Sequence, residues 1–156
     1  MAYMILIVDD EPANLRSLER LFRTEYDVLT AGSGQEALDL LRQHDVALLI
    51  TDQRMPEMTG IELLQKTVAL RPRMVRIILT GYTDVDALVD AINCGQVYRY
   101  VGKPWNNDEL RLTVKRALEH YETNKTYYEL GLANERLVSA IQEIQRVATL
   151  ASVGRA

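Results

Sequence analysis

Four short stretches carry side chains that could do chemistry together: Asp9-Asp10-Glu11, Thr51-Asp52, Leu79-Thr80-Gly81 and Lys103-Pro104. Carboxylates held close together repel one another and raise the pKa of at least one of them unless a cation shares the site. Oxygen ligands and a demand for retained waters suit Mg²⁺ or Mn²⁺ better than zinc, which prefers His and Cys. Once such an ion neutralises the cluster, one Asp can act as a nucleophile toward phosphorus. Lys103 then offsets charge on the phosphoryl oxygens, and Thr80 donates a hydrogen bond to them. Singly, each residue has a plainer explanation: Asp52 as a loop cap, Thr80 as a strand-end hydroxyl, Lys103 as a solvated charge. Their recurrence at the ends of successive apolar runs points to a common site.

Those runs are Tyr3–Val8, Tyr26–Ala31, Val46–Thr51, Val75–Thr80 and Val97–Val101. Each is rich in β-branched residues and is followed by a segment with helical spacing, so the pattern is βα repeated five times. Met4-Ile5-Leu6-Ile7-Val8 and Ala47-Leu48-Leu49-Ile50 are apolar throughout, as strands covered by helices on both faces must be, which predicts a parallel sheet. Ligands of such sheets gather at the carboxyl ends of the strands, where the polar residues fall. Pro12 opens a first helix that runs through Leu15, Leu18, Leu21 and Phe22 to about Thr24. Ser33-Gly34 introduces a second, Gly60 precedes a third closed by Arg71-Pro72, and Asp84 caps a fourth that stops at Cys94-Gly95.

After Trp105 the pattern changes. From Asn107 or Asp108 to about Val153 there is no proline and one glycine, Gly131, so helix is permitted for ~45 residues or ~70 Å. Within it Tyr127, Leu130, Asn134, Leu137, Ile141, Ile144, Ala148 and Ala151 recur at alternating 3- and 4-residue steps, the a/d signature of a coiled coil. Asn134 at an a position sacrifices some stability and favours a parallel, in-register pair. A dimer through this helix is expected, with a seam of Leu130, Asn134, Leu137, Ile141 and Ile144.

In order along the chain, Val8-Asp9-Asp10-Glu11-Pro12, Thr51-Asp52-Gln53-Arg54-Met55-Pro56-Glu57-Met58-Thr59-Gly60, Leu79-Thr80-Gly81 and Tyr100-Val101-Gly102-Lys103-Pro104 closely resemble the receiver domain of bacterial two-component response regulators. The resemblance covers about residues 3–120. It implies a doubly wound α/β fold, flavodoxin-like with strand order 2-1-3-4-5. It implies that Asp52 accepts a phosphoryl group from a histidine kinase or phosphotransfer protein. Mg²⁺ would be held by Asp10, Asp52 and the main-chain carbonyl of Arg54, with Asp9 acting through water. Lys103 would pair with the phosphoryl oxygens, and Thr80 and Tyr100 would be the switch. Arg54 and Tyr82 occupy the family's variable positions that tune phosphoryl lifetime. The family's cis peptide before the proline makes Lys103-Pro104 a candidate. Lys103-Pro104-Trp105 resembles a subgroup often joined to kinases or cyclic-nucleotide enzymes. The end of the chain, Ala148 to Ala156, resembles the stretch before a sensor kinase's phosphoacceptor histidine. The implied layout is a receiver over 1–120 and a coiled-coil linker over 121–156 leading to an output domain. Beyond Mg²⁺-dependent self-phosphorylation and slow autodephosphorylation, no enzyme activity is expected of the receiver itself.

The chain has 156 residues, 47% apolar and 26% charged, which suits one domain with an appendage. Its single cysteine, Cys94, excludes an internal disulfide and a structural zinc quartet, and a reducing cytoplasmic setting fits. The run Tyr3–Val8 lacks a basic flank and is far short of the ~20 residues that span a bilayer. The net charge of −4 argues against nucleic acid, and no helix-turn-helix pattern follows residue 120. His44 and His120 carry no ligand spacing. A phosphorylation-independent scaffold is the alternative, opposed by the intact set Asp9, Asp10, Asp52, Thr80 and Lys103. A haloacid-dehalogenase-like phosphatase would need an Asp-x-Asp that Asp9-Asp10-Glu11 does not supply.

Overall fold

The structure, a computed structural model, describes residues 2–81, 85–93 and 96–153. Tyr82, Asp84, Cys94 and Gly95, named above, lie outside the described residues. Five strands, β1 (Met4–Val8), β2 (Asp27–Ala31), β3 (Leu48–Asp52), β4 (Val75–Thr80) and β5 (Arg99–Gly102), alternate with five helices. The helices are α1 (Pro12–Phe22), α2 (Gly34–Gln43), α3 (Gly60–Leu70), α4 (Val85–Asn93) and α5 (Asn107–Val153). All strand pairs are parallel, in the order β2-β1-β3-β4-β5. This is the expected doubly wound sheet with an extended C-terminal helix.

Side chains alternate across a strand, so each apolar run feeds two cores at once. Leu6, Val8, Leu49 and Ile78 pack with Ala37, Leu38 and Leu41 of α2, Leu63 and Leu64 of α3 and Ala91 of α4. Ile5, Ile7, Leu48, Ile50, Ile77 and Leu79 pack with Leu18, Leu21 and Phe22 of α1 and Leu110, Val114, Ala117 and Leu118 of α5. Each Val, Leu, Ile or Phe side chain among them, fully buried, stabilises the fold by about 1.5–3 kcal/mol. A half-polar strand would leave one of these layers without a partner.

Helix ends follow the local chemistry. Pro12 sits in the first turn of α1, where the missing N–H costs nothing. Ser33 Oγ accepts from the Glu36 N–H, while Glu36 accepts from the Gly32 N–H. The Arg71 guanidinium donates to the Leu41 and His44 carbonyls, satisfying the last turn of α2 from the far end of α3. Buried Arg76 donates to Thr67 Oγ1 and the Arg71 carbonyl, and burial holds its pKa below the usual arginine value.

Several boundaries differ from the sequence pattern. α1 stops at Phe22 rather than about Thr24, and Gly60 is the first residue of α3, with Thr59 as its cap. β3 begins at Leu48 and β5 at Arg99 because the ladder, not hydrophobicity, defines a strand. Val46 and Val97 are buried just before pairing starts. The Lys103-Pro104 bond is cis.

The chain divides into two compact units, Met1–Tyr121 and Glu122–Ala156. In the second, α5 continues to Val153 with Leu130, Leu137, Ile141 and Ile144 exposed. Among the described residues no helix is long and apolar enough to cross a membrane.

Candidate functional site

The carboxyl ends of β1 and β3 are neighbours because β3 pairs directly with β1, Val8 opposite Thr51. The next residue on each, Asp9 and Asp52, is therefore delivered to the same edge. Asp9, Asp10 and Asp52 offer carboxylate oxygens that all lie within 4.8 Å of one another. Asp9 is 1% exposed and Asp52 7%, whereas Asp10 faces solvent. Thr80 ends β4, and its carbonyl accepts the Lys103 N–H at 2.8 Å. That bond seats Lys103, whose Nζ reaches Asp52 Oδ1 at 2.8 Å and Asp9 Oδ2 at 3.7 Å.

The electrostatics follow from burial and from two carboxylates, Asp9 and Asp52, sharing one ammonium. Burial pushes the Asp52 carboxyl up; the Lys103 hydrogen bond and charge and the Gln53 N–H draw it down, and Asp9 adds to the rise. The outcome is a pKa above the ordinary aspartate value. For Lys103, burial acts downward, but the hydrogen bond and charge of Asp52, with Asp9 and Glu11 behind, outweigh it and hold the ammonium above its usual value. Burial, with the Asp9 charge behind it, thus outweighs the paired lysine at Asp52. An all-oxygen set of this kind fits a hard divalent cation.

The backbone under Asp52 is tightly built. The Gln53 N–H donates to Asp52 Oδ1 at 2.9 Å and to the Leu79 carbonyl at 3.1 Å. The Gln53 side-chain oxygen accepts from the Ile61 N–H at the start of α3. A Cβ on Gly60 would stand 2.5 Å from the Asp52 carbonyl oxygen and 3.1 Å from Gln53 Cα. Both obstacles are main chain, so Gly60→Ala is expected to push α3 off Asp52. Thermal unfolding should fall by several degrees, and Asp52 chemistry should fall more than stability alone explains. Asp52 reactivity matching wild type in the folded variant would show that the close approach is dispensable.

The remaining sequence-predicted residues are distributed around this core. Thr80 is buried beside the Lys103 main chain. Tyr100, on β5, is 50% exposed and is not among the acidic cluster. The Arg54 side chain is exposed in the loop after β3, and Tyr82 lies outside the described residues. Trp105 packs against the α1–α5 core and donates to Asn107 Oδ1. His120 stacks on Tyr98 at 5.0 Å and is remote in role from the cluster.

Two contributors escaped the sequence pattern. Asn14 Nδ2 donates to Asp9 Oδ2 at 3.1 Å, and Gln53 ties Asp52 to α3. Asn14 follows Pro12 at the start of α1, so a polar residue on the first turn after the acidic doublet was the available signal for it. Gln53 gave none, since a buried amide is indistinguishable in sequence from a loop residue.

The family described as "Response regulator receiver domain" matches residues 5–115. A hydrogenase transcriptional regulatory protein, HoxA, from Cupriavidus necator is 40% identical over 115 residues, 74% of this chain and 24% of the relative. The transcriptional regulatory protein ZraR of Escherichia coli is 38% identical over 117 residues, 74% of this chain and 26% of the relative. The chain thus spans about a quarter of the length of these curated relatives. Among solved structures, a chain titled adenylate cyclase from Rhodopirellula baltica superposes with a TM-score of 0.80 at 32% identity, covering 83% of this chain and 97% of that one. A CheY-like receiver domain protein from Methanospirillum hungatei gives 0.74 at 35% identity, covering 79% and 98%. By sequence, sheet order and the acidic edge that the sheet order creates, the chain belongs to the response regulator receiver domain family.

Proposed function

We propose that Asp52 accepts a phosphoryl group from a phosphohistidine donor of a two-component system, and that the receiver passes the resulting switch to an output module through α5. The observation that carries this is the Lys103–Asp52 contact at 2.8 Å within the three-carboxylate cluster. An Asp52 carboxylate oxygen attacks phosphorus, the bond to the donor imidazole nitrogen breaks, the imidazole leaves with its electron pair, and an acyl phosphate forms. Lys103, released from Asp52 Oδ1, pairs with the transferred phosphoryl oxygens. Asp10 and Asp52, with the Arg54 carbonyl, would hold Mg²⁺ or Mn²⁺, and Asp9 would act through water. The bound ion would neutralise charge on the carboxylates and the phosphoryl oxygens.

The direct test is incubation with acetyl phosphate and Mg²⁺, read by intact mass and by the fluorescence of Trp105, the chain's single tryptophan. The mass of one added phosphoryl group, absent when EDTA is present from the start, is the expected result. No adduct under any donor would refute the assignment.

Phosphorylation draws Thr80 toward the new phosphoryl oxygens and Tyr100, now 50% exposed, inward behind it. This is a population shift in which coupling of ~1–3 kcal/mol suffices. Arg54, exposed in the loop after β3, crowds the path of the hydrolytic water; the matching role expected of Tyr82 falls outside the described residues. In Arg54→Ala, phosphoryl decay is expected to accelerate several-fold, and an unchanged half-life would discard the crowding role.

The occupant of the Leu130, Leu137, Ile141 and Ile144 face is a second copy of this helix. Asn134 supports that choice, because only a parallel, in-register copy sets the amide opposite itself rather than opposite an aliphatic side chain. Sedimentation equilibrium should give a dimer that Ile141→Lys dissociates into monomers. A wild-type monomer across the micromolar range would dismiss the seam. The named relatives are transcriptional regulators, and one structural neighbour is titled an adenylate cyclase, so one receiver type serves different outputs.

A further inference from the structure

We infer that Asn14 is a positioning residue that holds Asp9 in place and thereby keeps Lys103 on Asp52. The inference rests on the phosphoacceptor role proposed for Asp52. Asp9 is 1% exposed, so both its oxygens need donors from the protein or a bound ion. Oδ1 accepts the Glu11 N–H at 2.9 Å. Oδ2 accepts from Asn14 Nδ2 at 3.1 Å, and Lys103 Nζ stands 3.7 Å from the same atom. The second contact of the Asn14 amide is Glu11 Oε2 at 3.4 Å. Both partners are carboxylate oxygens, which accept only, so the amide nitrogen must be the atom that faces them.

Asp9 Oδ2 thus has a near neutral donor and a more distant charged one. The ammonium is the better partner for a carboxylate, and it is already within reach. Without the amide, the buried Oδ2 would lose its nearest donor, and Lys103 would move toward Asp9 to replace it. That movement lengthens the contact with Asp52, where Lys103 must wait to receive phosphoryl oxygens. Asn14 therefore decides how one lysine divides itself between two aspartates. It also lines an open cleft with Lys103, Pro104 and Trp105, so it stands at the mouth of the site and not in the core.

The test compares wild type with Asn14→Leu, which keeps the volume and removes the donor, and with Asn14→Asp, which keeps the shape and replaces donor by acceptor. In metal-free protein, the side-chain carboxyl carbon resonances of Asp9 and Asp52 and the Lys103 ammonium resonance are followed by NMR. Both variants should shift Asp9 and Lys103 together and move Asp52 toward its unpaired position. At saturating Mg²⁺ and acetyl phosphate, the maximal phosphorylation rate should fall roughly tenfold to a hundredfold, the cost of a misplaced catalytic group. The donor concentration for half-maximal rate should change little. Asn14→Gln, which retains the amide, should recover most of the rate. A folded Asn14→Leu protein with wild-type resonances and wild-type maximal rate would overturn the inference while leaving Asp52 phosphorylation intact. Failure of wild type itself to take up phosphate would instead sink the underlying function.

Discussion

Asp52→Asn is expected to abolish phosphoryl uptake completely while leaving the metal-free fold at least as stable as wild type. Loss of uptake follows from the chemistry, since an amide oxygen is not a competent nucleophile toward phosphorus. The stability expectation follows from the environment. The Asp52 carboxyl is held above its usual pKa by burial and by Asp9 despite the Lys103 pair, so its ionised form is disfavoured by folding. A group whose folded pKa is raised contributes stability that is present below the unfolded value and lost as pH rises through the folded one. Metal-free wild type should therefore lose stability as pH climbs out of the ordinary carboxylate range, and Asp52→Asn should lack that slope. The raised Lys103 pKa has the same sign but acts in the alkaline range, where stability falls as the ammonium deprotonates. Thermal melts of both proteins in EDTA across pH, with intact mass after acetyl phosphate, check both halves. An Asp52→Asn protein that still gains phosphate would place the acceptor elsewhere.

The second large effect is the response to divalent metal. A ligand that binds only the folded state at a hundredfold excess over its Kd stabilises by about 2.7 kcal/mol. For a chain of this size, each kcal/mol raises Tm by roughly 2–4 °C. Mg²⁺ should thus raise the wild-type Tm by several degrees, and chelation should reverse it. Asp10→Asn should remove most of the response, because Asp10 is the solvent-facing member of the cluster and the one through which an ion can enter. Phosphorylation of that variant should fall in parallel. With Mg²⁺ bound, the Asp52 carboxyl loses its excess of negative neighbours, so the acid limb of the rate profile should move to lower pH as Mg²⁺ is raised. An acid limb insensitive to Mg²⁺ would mean that the ion does not sit against Asp52.

Much of the acidic edge is legible in the sequence, and the reason is periodicity. Uninterrupted apolar runs demand strands covered on both faces, and polar residues at their carboxyl ends then have only one place to go. Asp9, Asp52, Thr80 and Lys103 were identifiable because each terminates or follows such a run. Strand starts were less legible. Val46 and Val97 are apolar, yet each lies two residues short of the paired ladder. Asn14 and Gln53 were silent for a different cause. An amide serves as well in solvent as in a carboxylate network, and only its neighbours distinguish the two.

The order of residue types alone determined the parallel α/β class, the acidic doublet, an aspartate at the end of the third strand and the long C-terminal helix, because these depend on spacing along one chain. Only the tertiary structure decided that one ammonium reaches two carboxylates at 2.8 and 3.7 Å, that Asn14 donates to Asp9, and that Gly60 touches the backbone of Asp52. Those are distances set by how side chains of all five strands pack into two cores, and no local pattern encodes them.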